Sequence, residues 1–137
     1  MAEKMNVQAS YISGRQFEAR TGSGHRTIFD GNHEVGASPM EMLLACLATC
    51  SGISIISIVQ KKQQVVTNYE VRVEGVRAET HPLVFTEITV EHILTGHSIR
   101  PEAVERAIEL AETRYCGVSI MLGRSVKLMH TYKIIEA

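Results

Sequence analysis

The sequence contains no tryptophan, and its aromatic residues are four Tyr and three Phe. A core built on large rings is excluded, so Ile, Val, Leu, Met and Ala must supply the apolar area. Neither sign of charge is in excess: 14 Lys and Arg stand against 15 Asp and Glu, a net charge of -1. No basic surface for nucleic acid is expected, and no run of like charge forms a tail. The spacings C-x-x-C and H-x-x-x-H are both missing, which removes the common zinc ligand sets. The start, MAEKMNVQAS, lacks the apolar stretch of a secretory leader. Three cysteines is an odd number. A disulfide scaffold is therefore not expected, and the expected compartment is the reducing cytoplasm.

What is present suits a globular chain. Apolar residues make up 45% of its 137 positions and charged residues 21%. The length fits a single domain over 1–137, without repeats or an interior linker. Residues 39–59, PMEMLLACLATCSGISIISIV, are long and apolar enough to resemble a membrane span. Glu41 near the start and the serines at 51, 54 and 57 argue instead for a buried central helix. No membrane partner is expected. Ser38, Pro39 and Glu41 spell a helix start, with Ser38 as N-cap and Glu41 closing an S-x-x-E capping box.

Short strands with turns at Ser13-Gly14, Gly22-Ser23-Gly24 and Asp30-Gly31-Asn32 precede this helix. Two long alternating strands follow it. Tyr69, Val71 and Val73 share one face, and Val84, Thr86, Ile88, Val90 and His92 share another. Pro101 opens a second helix with the face Val104, Ala107, Ile108, Ala111 and Tyr115. Gly117 breaks it, VSIMLGR reads as a short further helical segment, and Val126 to Ile134 form the last strand. The order is βββ-α-ββ-α-α-β. It predicts an α+β fold with one antiparallel-rich sheet and helices on one side. The central helix is apolar all round, and a second subunit is the simplest cover for its outer face.

Cys46 and Cys50 are four residues apart on that helix. Their Cβ atoms then lie about 6 Å apart, too far for an undistorted disulfide, which wants about 3.8 Å. Cys116 sits at the helix break, where the next helix start favours a thiolate. Buried cysteines also serve as small inert hydrophobes, so these residue types fit an unreactive core equally well. The six histidines at 25, 33, 81, 92, 97 and 130 have no local spacing to a cysteine and read as turn or half-buried residues.

Four stretches together resemble the OsmC/organic hydroperoxide resistance family, in its OsmC-like branch. They are GRQFEARTGSGHRTIFDG, GASPMEMLLACLATCSGISIISIVQKK, YEVRVEGVRAETHPLVFTEITVEHILTG and PEAVERAIELAETRYCGVSIML. They cover nearly the whole chain. The P-x-E-L-like helix start and the C-x-V-S motif carry the resemblance best. It implies an intertwined homodimer with buried central helices. It also implies a peroxiredoxin-like antioxidant enzyme of the stress response that reduces organic hydroperoxides. On that model Cys50 is the peroxidatic thiol and Cys116 the resolving thiol, while Cys46 remains core. An external dithiol regenerates the enzyme, with no metal or other cofactor. A free thiol is only about 3% ionised at pH 7. Cys50 lies too far along its helix for the dipole to help. The resemblance therefore puts a cation beside it: Arg15, with Arg20 as the fallback. A glutamate should orient that arginine. Counting from Pro39, the matching position holds Met40, and Glu41 comes one residue later. Glu41 is thus a catalytic candidate and a helix cap at once. Two other readings of the same fold are a dimeric module that binds an apolar ligand and a redox sensor without peroxidase turnover.

Overall fold

Three short antiparallel strands open the chain: β1 (Val7–Ser13), β2 (Gln16–Thr21) and β3 (Arg26–Asp30). The predicted turns separate them. Gly14 stands at φ 53, a left-handed conformation that costs glycine little. Asp30 is buried and organises the loop after β3. Its carboxylate accepts N–H bonds from Asn32 at 2.8 Å, Glu34 at 3.1 Å and Val35 at 3.2 Å. These bonds, led by that of Asn32, hold its carboxyl below the usual range.

The long helix α1 (Pro39–Lys61) begins as the sequence predicts. Ser38 Oγ accepts the Glu41 N–H at 3.3 Å, and Glu41 Oε1 accepts the Ser38 N–H at 3.0 Å. The capping box is closed in both directions. Along α1 one stripe is buried: Leu47, Ser51, Ile55 and Val59, spaced four apart. Cys46, Thr49, Ile53 and Ser57 are exposed on the other side. The sequence suggested a core position for Cys46, but within the chain it is exposed. The 3.6-residue turn carries it well round the helix from the buried stripe.

A second sheet is built from β4 (Val65–Arg77), β5 (Phe85–His97) and β6 (Lys127–Glu136), in that order. The expected single sheet is thus two sheets of three strands. The first three strands pair only among themselves, through short local turns. β4 and β5 are antiparallel, whereas β6 runs parallel to β5 because the chain returns through helices. A register shift between Val76 and Arg77 changes the phase at the start of β5. Phe85 is buried there while Val84 and Thr86 are exposed; from Ile88 to His92 the predicted alternation holds, and Ile93 beyond it is buried as well.

Between β5 and β6 lie α2 (Pro101–Leu110), a π-helical turn (Ala111–Tyr115) and α3 (Gly117–Leu122). The π turn is marked by the Cys116 N–H, which bonds back five residues to Ala111 O at 2.9 Å. The extra residue rotates the helix face. Tyr115, predicted on the apolar face, is 57% exposed, and Cys116 enters the core instead. That core joins Ile55 and Val59 of α1, Leu94 of β5, and Val104, Ala107, Ile108 and Ala111.

The structure describes residues 2–137 and is a computed structural model. The chain divides into two compact units, Met1–Leu43 and Leu44–Ala137.

Candidate active site

Cys50 and Cys116 come together in the second unit. Cys50 lies half-buried on the flank of α1 and packs against the core that contains Cys116. Cys116 is fully buried and caps the start of α3, where its Sγ accepts the Ser119 N–H at 3.3 Å. The two thiols lie close enough to perturb each other's ionisation. Their separation of 66 positions gave no hint of this proximity. Cys46 is exposed and takes no part.

The environment treats the two sulfurs differently. Burial pushes the Cys50 thiol up, and the neighbouring Cys116 adds to the rise against the N–H groups of Val118 and Gly117. Burial opposes ionisation of Cys116 too, but more donors face it. The Ser119 hydroxyl and N–H, the Cys50 thiol and the Ser51 hydroxyl outweigh burial and hold it below the ordinary thiol range. A single negative charge on the pair is therefore favoured at Cys116. Access runs the other way: Cys116 is sealed, and Cys50 is the sulfur that borders the surface.

A buried row of polar groups continues from Cys116. Ser51 Oγ lies 3.6 Å from Cys116 Sγ and 3.2 Å from Ser119 Oγ. Ser119 Oγ lies 3.4 Å from His130 Nε2. His130 Nδ1 is 2.9 Å from His92 Nε2, and the rings stack at 5.2 Å between centroids. His92 Nδ1 is 2.7 Å from the Tyr69 hydroxyl. Glu112, on the π turn, places Oε1 3.8 Å from His130 Nε2. Burial pushes both histidines down to about 4 and keeps them neutral, the His130 neighbour adding to the effect at His92. Among the described residues, no buried side-chain polar atom lacks a partner.

Sequence reasoning missed this row. The available signal was polar side chains at positions of apolar phase: His92 in line with Ile88 and Val90, His130 in line with Leu128, and Ser51 within the α1 stripe. No local spacing joins them, because the pairing of β4, β5 and β6 does.

The other candidates lie in the first unit. The Arg15 guanidinium donates to Asn32 Oδ1 at 3.2 Å and lies flat against Gly31, where an added Cβ would come within 2.8 Å of Nε. It borders an open, mainly apolar hollow of about 580 Å³, lined also by Ala9, Phe17, Ala19, Phe29 and Pro39. Arg20 pairs with Glu18 at 3.2 Å. Glu41 holds Ser38 and meets His33 Nε2 at 3.2 Å, so its partners in this unit are the cap and a histidine, and the partner of Arg15 is Asn32. No group of three or more potential metal ligands occurs among the described residues.

Residues 30–131 match the model of the family described as OsmC-like protein. Over 134 residues the chain is 37% identical to the protein YhfA of Escherichia coli K12, covering 97% of this chain and 100% of that one. A hypothetical protein of Aquifex aeolicus is 28% identical and superposes with a TM-score of 0.91 over 99% of both chains. The organic hydroperoxide resistance protein OhrB of Bacillus subtilis is 18% identical and superposes at 0.63, over 96% of this chain and 98% of that one.

Proposed function

We propose, for a chain that belongs to the OsmC-like protein family, a thiol-dependent reduction of organic hydroperoxides by Cys50 and Cys116. The observation that carries this reading is the proximity of one accessible and one buried thiol, Cys50 packing against the core that holds Cys116 at the start of α3. Similarity to a fold that includes organic hydroperoxide resistance proteins suggests the substrate class.

The chemistry follows from access and charge. In the resting pair Cys116 holds the charge and Cys50 the proton. Transfer of that proton to Cys116 makes Cys50 the thiolate, and only Cys50 borders the surface. Its sulfur attacks the outer oxygen of the hydroperoxide. The S–O bond forms, the O–O bond breaks, and the leaving alkoxide takes the Cys116 proton as the alcohol. Cys50 is now a sulfenic acid and Cys116 a thiolate again. Cys116 then attacks the Cys50 sulfur, a disulfide forms, and hydroxide leaves to become water. An external dithiol returns both thiols and carries away the oxidising equivalents. Cys50 is peroxidatic and Cys116 resolving on this scheme.

Arg15 and Glu41 remain proposed assistants to the same chemistry, Arg15 as the cation for the developing charge. The exposed side of α1, with Ile53 68% exposed, is proposed to pack on a second copy of the chain. The pair requires a reducing compartment, and the cytoplasm is the proposed one. Stopped-flow consumption of an alkyl hydroperoxide under a dithiol reductant tests the reading, with hydrogen peroxide as the comparison. Faster use of the alkyl hydroperoxide supports it. The hollow beside Arg15 favours a second reading, binding of an apolar ligand with an anionic head. No turnover together with saturable fatty-acid binding would select that one.

A further inference from the structure

Glu112 beside His130 favours one direction along the buried row. A carboxylate oxygen only accepts, so the Glu112 Oε1 at 3.8 Å favours a proton on His130 Nε2. His130 Nδ1 is then bare and must accept from His92 Nε2, 2.9 Å away. His92 Nδ1 is bare in turn and accepts from the Tyr69 hydroxyl at 2.7 Å. On the other side, Ser119 Oγ accepts from His130 and has its own proton left to give. It gives that proton to the Ser51 oxygen at 3.2 Å, and the Ser51 hydroxyl donates in turn to the Cys116 sulfur at 3.6 Å.

We propose that Tyr69, His92, His130, Ser119 and Ser51 form a one-way row of neutral donors ending on Cys116 Sγ, with His130 the positioning residue that aims the Ser119 hydroxyl. The inference rests on the peroxidase reading only for its purpose. It keeps the resolving thiol ionised in the sealed interior, so disulfide formation follows sulfenic acid formation without a separate deprotonation. Hydrogen bonds inside a dry site are stronger than in water and reinforce one another along a chain. The titratable groups facing the row are Cys50 from α1, Tyr69 from β4, His92 from β5 and Glu112 from the π turn. Glu109 lies close enough to Glu112 to raise its carboxyl further, beyond the effect of burial. A hollow of about 440 Å³, bordered by Glu112, Ser119 and Arg124, adjoins the middle of the row.

The test uses the full chain in a Cys46→Ser background, which silences the exposed thiol. Thiolate absorbance at 240 nm is followed against pH in the reduced protein. His130→Phe keeps the ring and removes both nitrogens. It should raise the first midpoint of the pair by about one pH unit, which means about tenfold less thiolate well below that midpoint. Tyr69→Phe removes only the hydroxyl at the far end and should move the midpoint the same way, by less. An unchanged midpoint in folded His130→Phe overturns the proposal. If that variant does not fold, an unchanged midpoint in Tyr69→Phe does so. The titration needs no peroxide, so its outcome separates from that of the turnover test. A shifted midpoint without peroxidase activity removes the function and leaves the row standing. Normal activity with an unshifted midpoint removes the row and leaves the function.

Discussion

Cys50 and Cys116 differ in what surrounds their sulfurs, and the difference sets what each substitution should do. Cys50→Ser should abolish turnover, because a serine hydroxyl is a poor nucleophile at neutral pH. Cys116→Ser removes the group that receives the Cys50 proton and the one that closes the disulfide. It should consume one equivalent of peroxide, more slowly than the native chain, and accumulate a sulfenic acid at Cys50. Trapping with a sulfenic-acid reagent and mass spectrometry checks both outcomes; sustained turnover in either variant would contradict the assignment. At this scale the sequence was partly legible. The two cysteine motifs named the pair, since each sits in a recognisable local context. Ser119, His130 and His92 could not be named, because their side-chain contacts span 11 to 68 positions and arise from the tertiary fold. The exposed face of Cys46 was also missed, because an apolar composition does not say which side of a helix meets its own chain.

Helix α1 is the element that carries Cys50, and its start is specified locally. Ser38→Ala removes the acceptor of the Glu41 N–H and should lower stability by about 1 kcal/mol in chemical denaturation. Its central stripe depends on burial. Leu47 is fully buried, so Leu47→Ala should cost about 2–5 kcal/mol in the same assay. Ile53→Ala, on the exposed side, should cost the single chain little and weaken any association through that face. The capping box, the strand turns and the β5 alternation from Ile88 to His92 were readable because their signals lie within a few residues. The π turn was not. It depends on a backbone bond from Cys116 to Ala111, and it alone moves Tyr115 out and Cys116 in. The division into two sheets was equally hidden, since strand order within a sheet is a nonlocal choice.

At the scale of the whole molecule, two buried histidines tie stability to pH. Each has an ordinary value of 6.5 and is pushed down to about 4 in the folded chain. The folded chain binds fewer protons than the unfolded chain between these values. Their contribution is therefore complete above about 6.5 and falls away as pH drops toward 4, by on the order of 3 kcal/mol for each histidine. Urea midpoints measured between pH 7.5 and 4.5 should decline through that window, and His92→Phe should flatten the decline in proportion. Assembly is the second property at this scale. The bare side of α1 leads us to expect a dimer at micromolar concentration by sedimentation; a native monomer there would contradict it. The most direct test of the central claim is peptide mapping after one equivalent of alkyl hydroperoxide. Cys50 and Cys116 should be joined in a disulfide within one chain, with Cys46 still free to alkylate. A disulfide containing Cys46, or three unmodified thiols, would contradict it.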